Sequence, residues 1–335
     1  MRFSTPLLAT LISPSLSSPS KPPIRQIYTF PNNTFIENIA ARSDSHLLIT
    51  SLSVPTLFSI DPTTTTPTAQ VIHTFPNATG LSGITEIRRD VFALVTGVWD
   101  LASTRATPGS LAIWTADFTM TTTPNPNPVV KFLTAIGNST IFNGIARHPS
   151  NPTLLLAADS AAGRVWRVNL LTGSYEVAFS DPLLTPVGTA PGTNLGINGL
   201  KARGEYLYFT NSARRFFGRV GIDLLGSAVG RIEVIANSSV AGGDVVYDDF
   251  ALEEKHDGGA WIASHPSYVV HVNSRAGQTV VNDTGLLLNP TSAAFGRGDG
   301  GEEGTLYVTN GGEFVGEDFT LINEGVVAVD MRSAC

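Results

Sequence analysis

The stretch FNGIARHPSNPTLLLAADS, residues 142–160, combines a polar Asn-Gly pair, a short apolar run, a turn and a second apolar run that ends at Asp159. The same order of features occurs in INGLKARGEYLYFTNS at 197–212 and in FIENIAARSDSHLLITS at 35–51. Short runs rich in β-branched and aromatic residues, separated by Gly, Pro, Asn and Asp, are typical of β-strands joined by turns. The stretch is therefore one copy of a strand–turn–strand repeat.

The repeat occurs six times, at intervals of roughly 40–60 residues, which is the period of β-propeller blades. A third strand-like run follows each opening, and a fourth follows in five units. The last unit lacks its fourth strand, which RQIYTF at 25–30 can supply, and such closure leaves no open sheet edge. The sequence therefore predicts an all-β, six-bladed β-propeller with four antiparallel strands per blade. We expect residues 25–332 to form this single domain; two β-domains divided at 121–128 are disfavoured because the repeat continues on both sides.

Composition and charge exclude several classes of function. The chain has 335 residues, of which 42% are hydrophobic, and a net charge of −7 without any cluster of Lys and Arg, which argues against nucleic acid as a partner. No apolar run approaches the ~20 residues that a membrane span needs. Cys335 is the only cysteine, so this chain alone cannot build a disulfide or a thiolate zinc site. Nothing in the sequence specifies the oligomeric state.

The N-terminal residues resemble a secretory leader. Residues 1–20 contain Arg2, then a short apolar stretch from Leu7 to Leu16, then small residues, although two prolines weaken the pattern. The chain also contains five Asn-x-Ser/Thr triplets, which would have to lie in surface loops if they are glycosylated. Together these features predict a secreted, N-glycosylated protein with candidate sites at Asn32, Asn77, Asn138, Asn237 and Asn282.

Propeller geometry predicts where the functional site lies. The innermost strand of each blade lines the central channel, so the residues that open the six units should form a ring at one channel mouth. Residues that follow the second strand of each blade return to the same face and should form an outer ring. The inner ring would comprise Glu37, Ser82, Asn143, Asn198, Asp248 and Thr291, and the outer ring Trp99, Asp159, Asn211, His265 and Asn310.

Four members of the inner ring could bind a metal ion. Glu37, Asn143, Asn198 and Asp248 offer only oxygen ligands, which hard divalent cations, Ca²⁺ above all, prefer. Taken singly, each has a simpler interpretation, because Asn143 and Asn198 precede glycine and the Asn-Gly pair is common in tight turns. Their recurrence at equivalent points of separate units favours a shared site.

The unit pattern and these four residues resemble the SMP-30/gluconolactonase/luciferin-regenerating family of six-bladed propellers. That resemblance implies a divalent metal held by Glu37, Asn143, Asn198 and Asp248, with Asp248 also acting as the base of a lactonase. It extends over about residues 25–332 as a pattern of blades. The segment ENIAAR departs from the Glu-Gly-Pro-x-Trp opening of the family, and Asp249-Phe250 stands where the family has Asp-Gly.

Segments such as ENIA, DDFAL and LYVTNGG are also similar to fungal propellers of this superfamily that act as hetero-Diels–Alderases. This resemblance implies a cyclase of secondary metabolism that joins a quinone-methide-type diene to an apolar terpene alkene and requires no cofactor. Proximity and hydrogen bonds to the developing oxyanion would lower its barrier. Catalytic roles would fall to Asp248, Asn198 and Asn143, and substrate-binding roles to Trp99, Asn211, His265, Phe216, Tyr268 and Asn310. The aromatics Phe217 and Phe314 also fall near the predicted mouth.

Three hypotheses follow. The first is this metal-independent cyclase, whose substrate is an apolar small molecule. The second is a metal-dependent lactonase in which Asp248 activates water beside a divalent cation. The third is a secreted binding propeller without chemistry, because a fold alone does not determine function.

Overall fold

The computed structural model describes residues 22–121, 127–137, 139–190, 192–238, 245–253, 259–298, 304–316 and 320–331. Six four-stranded antiparallel sheets are the main elements, and they form the six blades of a β-propeller. The predicted fold is confirmed. A short 3-10 turn lies at Pro182–Leu184, and in the described part of the chain no helix is long and apolar enough to cross a membrane.

Blades 1 to 5 follow one another along the chain, each starting with its innermost strand and ending with its outermost. Blade 2 carries an additional two-stranded hairpin between its second and third blade strands. Blade 1 contains β2 (Ile36–Ala41), β3 (Leu47–Ser51), β4 (Thr56–Ile60) and β5 (Ala69–Thr74); blade 2 contains β6 (Gly80–Arg88), β7 (Val91–Gly97), the hairpin β8 (Trp99–Asp100) and β9 (Arg105–Ala106), then β10 (Leu111–Asp117) and β11 (Val129–Ile136).

Blades 3 to 5 repeat this plan without a hairpin. Blade 3 contains β12 (Phe142–Arg147), β13 (Leu154–Asp159), β14 (Arg164–Asn169) and β15 (Tyr175–Ser180); blade 4 contains β16 (Ile197–Arg203), β17 (Tyr206–Asn211), β18 (Phe216–Ile222) and β19 (Ala228–Asn237); blade 5 contains β20 (Val246–Leu252), β21 (Ala260–His265), β22 (Tyr268–Val272) and β23 (Gln278–Asn282).

The sixth blade closes the ring with a strand from the start of the described chain. Its order is β24 (Pro290–Phe295), β25 (Thr305–Asn310), β28 (Gly325–Asp330) and β1 (Ile24–Thr29), with a hairpin of β26 (Glu313–Val315) and β27 (Thr320–Ile322) after β25. β1 pairs antiparallel with β28, so the predicted N-terminal closure is present. Ile27 and Phe30 are 5% and 3% exposed, which shows that the closing segment is part of the core.

The hydrophobic core lies between neighbouring blades. The second strands β3 and β13 are buried along their whole length because each blade packs a face on either neighbour. Leu156 of blade 3 and Phe209 of blade 4 belong to one such buried cluster. Outermost strands contain both exposed and partly buried residues, as β15 does, because only one of their faces reaches a neighbour.

Every innermost strand contains a register irregularity close to its start. In β2, for example, Ile36 pairs with Ser51 and Ile39 with Ile49, so Glu37 and Asn38 together oppose a single residue. A β-bulge of this kind changes the direction of the side chains that it carries. Equivalent irregularities involve Ser82–Gly83, Asn143–Gly144, Asn198–Gly199, Asp248–Asp249 and Thr291.

Glycines in three of these bulges let the innermost strands approach each other. An ideal Cβ at Gly144 would lie 2.4 Å from the backbone nitrogen of Leu200, and one at Gly83 would lie 2.1 Å from the carbonyl oxygen of Asn143. The Asn-Gly pairs therefore lie inside strands, where a side chain in place of the glycine would collide with the next blade. They are not tight turns.

Buried hydroxyls on the two inner strands of one blade donate to the innermost strand of the next blade. Thr50 donates to the carbonyl oxygen of Ser82 over 2.7 Å, and Ser82 donates to that of Phe142 over 2.6 Å. Thr210 donates to the backbone carbonyl oxygen of Asp248 over 2.7 Å, and Thr291 donates to that of Ile36 over 3.0 Å. These bonds hold the starts of the innermost strands in a fixed ring.

The described glycosylation triplets are mostly at the surface. Asn32, Asn77 and Asn237 are exposed, and Asn282 is half-buried and accepts a 3.3 Å hydrogen bond from Ser267. Asn138 and the leader at 1–20 lie outside the described residues.

We expect deletion of residues 1–31 to destabilise the whole protein, because it removes β1 and with it the buried side chain of Ile27. The unpaired edge of β28 would then be open to other chains. Urea denaturation should show a lower midpoint and the sample should aggregate. Deletion of residues 1–20 is the control and should leave the midpoint unchanged; equal midpoints for both truncations would contradict the prediction.

Candidate functional site

The predicted inner ring is present at one mouth of the channel, which we call the upper mouth and which is formed by the starts of the innermost strands. Glu37, Asn143 and Asn198 are buried, with 5%, 7% and 1% exposure, although their side chains are polar. Ser82 and Thr291 are also buried, but their hydroxyls bond to neighbouring backbone carbonyls as described above. We call Glu37, Asn143, Asn198 and Asp248 the polar cluster.

Asp248 lies at the centre of a hydrogen-bonded group. Its Oδ1 accepts from Asn198 Nδ2 over 2.8 Å, and its Oδ2 lies 3.0 Å from His265 Nε2. Asn198 Nδ2 also donates to Ser212 Oγ over 2.7 Å. The His265 side chain is 31% exposed and the Asp248 side chain 13%, so the pair is accessible from the mouth.

The two carboxyl groups of the cluster resist ionisation. Burial raises the pKa of Glu37 well above its usual value, and the charges of Asp248 and Asp249 raise it further, against a hydrogen bond with Asn143. Burial also raises the pKa of Asp248, although its hydrogen bond and charge interaction with His265 oppose the shift. A carboxyl in its protonated form donates a hydrogen bond, whereas a carboxylate only accepts.

Two amide oxygens in the cluster lack a hydrogen-bond partner among the described residues. They are Asn143 Oδ1 and Asn198 Oδ1, and both are buried. A buried acceptor without a donor is unfavourable by about 1–3 kcal/mol, so these atoms are suited to a ligand. Together with the carboxylates of Glu37 and Asp248 they form an all-oxygen set that fits a hard divalent cation. The described residues contain no group of three or more His, Cys, Asp or Glu suited to a metal.

A second group of polar residues surrounds Asp249, and three of its members, Asn38, Asp249 and Ser292, lie one position after a ring residue. Asn38 Nδ2 donates to Asp249 Oδ2 over 3.1 Å, and Ser292 Oγ donates to Asn38 Oδ1 over 3.0 Å. Lys201 Nζ donates to both Asp249 oxygens, at 2.8 and 2.7 Å. Gly199 makes room for this group, since an ideal Cβ there would lie 2.4 Å from Asp249 Oδ1. We call Asn38, Lys201, Asp249 and Ser292 the channel network. The sequence analysis did not identify it.

Three polar residues of the predicted outer ring hold loops. Asp159 is fully buried and accepts hydrogen bonds from Arg164 and Trp166. Asn211 Nδ2 donates to the carbonyl oxygen of Leu183 over 2.9 Å, and Asn310 Nδ2 to that of Leu286 over 2.7 Å. These contacts give Asn211 and Asn310 structural roles, whereas His265 is the outer-ring residue that joins the polar cluster.

The predicted aromatic residues divide into two groups. Phe216 and Phe217 are 3% and 0% exposed and pack in the cores on either side of blade 4, so the structure does not bring them to the mouth. Trp99 is half-buried in the blade 2 hairpin, and its indole nitrogen is buried without an acceptor among the described residues. Tyr268 is half-buried three residues after His265, and Phe314 is 56% exposed on β26.

We expect Glu37→Gln to have a higher free energy of unfolding than the wild type, and we expect this difference to grow as pH rises through the acidic range. The raised pKa of Glu37 means that the unfolded state releases this proton first, so the wild-type protein loses stability between the ordinary glutamate pKa and the folded-state pKa. The Glu37→Gln variant has no carboxyl at this position, so it does not lose stability in this pH range. Urea denaturation should be run at several pH values with a chelator present. The exposed Glu176→Gln is the control, and identical pH profiles for Glu37→Gln and the wild type would contradict the prediction.

Comparisons with known proteins agree with the propeller and with part of the functional hypothesis. No family model matches the chain. The chain is 26% identical over 328 residues to a protein from Phoma sp. that is named as a candidate hetero-Diels–Alderase, with 90% of each chain covered. The sequence resembles hetero-Diels–Alderases. A second candidate hetero-Diels–Alderase, from Sarocladium schorii, is 26% identical over 326 residues, or 88% of this chain and 79% of the relative.

Solved structures with the same fold include members of the family that the sequence suggested. Regucalcin, a calcium-binding protein from Agrobacterium tumefaciens, superposes with a TM-score of 0.61 at 16% identity, covering 90% of this chain and 91% of its own. A luciferin-regenerating enzyme superposes with a TM-score of 0.62 at 14% identity, covering 92% and 95%. At these identities the likeness establishes the fold alone.

Proposed function

We propose that this protein is a cyclase of secondary metabolism that joins a quinone-methide-type heterodiene to an apolar terpene alkene at the upper mouth. The observation that carries the proposal is the similarity to two proteins named as candidate hetero-Diels–Alderases over 90% and 88% of this chain. The polar cluster supports it, because buried polar atoms without partners are suited to orienting a substrate oxygen.

A hetero-Diels–Alder addition forms one C–C and one C–O bond and releases nothing, so the protein has no group to transfer. It must hold the two partners within bonding distance and stabilise the charge that develops on the heterodiene oxygen. Burial raises the pKa of Glu37, and in its protonated form this carboxyl would donate a hydrogen bond to that oxygen. Asn143 lies close enough to this carboxyl to lower its pKa, against the effect of burial.

The Asp248–His265 pair fixes the opposite side of the cluster. Both oxygens of Asp248 have partners, so its position is set by Asn198 and His265. The partly exposed imidazole of His265 can contact a polar substituent of the substrate. Tyr268 and the blade 2 hairpin with Trp99 supply aromatic surface for the apolar partner near the mouth.

The test is a reaction that also proceeds without catalyst. A quinone methide generated in situ should be incubated with a macrocyclic sesquiterpene and the purified protein, and the products separated by chiral chromatography. We expect faster product formation and one dominant stereoisomer, whereas buffer alone gives a racemate. A rate and stereoisomer ratio equal to those in buffer would refute the cyclase and leave a lactonase or a binding propeller.

A second candidate is a metal-dependent lactonase, which the unpartnered oxygens of Asn143 and Asn198 favour. These oxygens and the carboxylates of Glu37 and Asp248 would hold the cation. A divalent cation bound there would polarise the lactone carbonyl and lower the pKa of a bound water. Asp248 would then accept the proton of the attacking water, because His265 holds its carboxylate in place.

Metal analysis combined with chelation separates the two candidates. The cyclase should retain its rate and stereoselectivity after dialysis against a chelator. A lactonase should lose turnover on a panel of aldonolactones and regain it when Ca²⁺ or another divalent ion is restored. Lactone hydrolysis that depends on an added cation, without stereoselective cycloaddition, would replace the first proposal with the second.

A further inference from the structure

A cavity lies at the lower face, at the opposite end of the innermost strands from the polar cluster. It has a volume of about 380 Å³ and lies between blades 2 and 3. Arg88 is the last residue of β6 and Arg147 the last residue of β12, so the ends of two adjacent innermost strands form its walls. The lining residues are Glu86, Ile87, Arg88, Arg89, Arg147 and Pro152.

The acidic groups around this cavity already have partners. Glu86 Oε2 accepts from Arg297 over 2.8 Å, and Glu86 Oε1 accepts from the backbone nitrogen of Asp90 over 2.8 Å. Asp90 accepts from Ser43 and lies 3.5 Å from Arg42 Nε. These contacts leave no acidic side chain of the lining free to neutralise its arginines.

Two arginines of the cavity have no partner in the described part of the chain. Neither Arg89 nor Arg147 forms a hydrogen bond or ion pair there, whereas Arg88 makes an exposed 3.2 Å contact with Asp117. Arg147 is half-buried, whereas Arg89 is exposed. The cavity is therefore a local excess of positive charge on a chain whose net charge is −7.

We propose that this cavity binds a multivalent oxyanion, such as a phosphate ester or a polycarboxylate. A guanidinium presents paired N–H donors in one plane, which match the oxygens of phosphate and carboxylate groups. Arg147 and Arg89 supply the two free guanidinium groups, and Arg88 adds a third that can leave its exposed contact with Asp117. The site is separate from the polar cluster and needs no change in the chemistry of that cluster.

Isothermal titration calorimetry of the full chain with pyrophosphate and with citrate tests the proposal, at constant ionic strength set with sodium chloride. We expect saturable 1:1 binding of at least one of them, and the stronger ligand distinguishes a phosphate from a carboxylate preference. Arg147→Gln and Arg89→Gln should each weaken binding roughly tenfold, because each removes charged hydrogen bonds. Arg231→Gln, an exposed arginine of β19, is the matched control and should bind like the wild type.

Arg89 lies in an exposed turn, so Arg89→Gln tests the site even if Arg147→Gln perturbs folding. Absence of saturable binding of either anion at millimolar concentration would overturn the proposal. Affinity unchanged in both variants, or weakened equally by Arg231→Gln, would also overturn it, because the anion would then be bound elsewhere or by general charge attraction.

Discussion

Lys201→Met should destabilise the protein by about 3 kcal/mol, since removal of one partner of a buried ion pair typically costs about 3–5 kcal/mol. Lys201 Nζ contacts both oxygens of Asp249, whose side chain is 1% exposed. Without the ammonium, this carboxylate would remain buried with only Asn38 and a backbone N–H as donors. The lower end of this range of free energies applies because the Lys201 side chain is 27% exposed.

A double-mutant cycle in urea at neutral pH measures this coupling. Asp249→Asn should cost less than Lys201→Met, because the exposed part of Lys201 lets its ammonium reach water. The double variant should regain stability relative to Lys201→Met, since no buried charge remains. Arg219→Met, which breaks the exposed pair with Glu233, is the control and should change stability by no more than about 1 kcal/mol. Additive effects of the two channel substitutions would contradict the prediction.

The sequence was sufficient for the fold because propeller blades are periodic. Each blade repeats the same short strands, so one stretch such as 142–160 defines the pattern for the others. The same periodicity identified the polar cluster, since residues at equivalent points of equivalent strands meet at one axis. Closure by β1 was predictable because the last unit was one strand short.

The channel network could not be predicted because it depends on the bulges. In a regular strand, consecutive residues such as Glu37 and Asn38 point to opposite faces. The bulge of β2 lets both interact across the channel, Glu37 with Asn143 and Asp248, and Asn38 with Asp249. The signal available in the sequence was the residue after each ring position: glycine in blades 2 to 4 and a polar residue in blades 1, 5 and 6.

The outer ring and the aromatic residues show a second limit of prediction from the sequence. Asn211 and Asn310 follow second strands as predicted, but their amides bind loop carbonyls, and the conformations of these loops are not periodic. Phe216 opens the third strand of blade 4, where its side chain packs between blades. The position of a residue in the repeat therefore predicts where its backbone lies in the blade. The direction of its side chain depends on local contacts that the repeat does not specify.

Asn198→Leu should reduce turnover by about two orders of magnitude or more under either proposed activity. The substitution removes the amide that donates to Asp248 over 2.8 Å and to Ser212 over 2.7 Å, and it places an apolar branch in the polar cluster. In the cyclase, misplacement of a substrate by about 1 Å suffices for a loss of roughly 100-fold. In the lactonase, Asn198 Oδ1 is lost as a ligand and Asp248 loses its fixed position.

Asp248→Asn, compared on the same substrate, separates the two activities. The change nearly preserves size, so a cyclase should lose less activity than with Asn198→Leu, because its barrier depends mainly on shape and orientation. A lactonase should lose as much or more, since Asp248 would be both ligand and base. Circular dichroism and urea denaturation must show that both variants are folded. Asn169→Leu, at the half-buried end of β14 at the lower face, is the control for loss of a structural amide. Full activity of a folded Asn198→Leu variant would show that the reaction does not take place at the upper mouth.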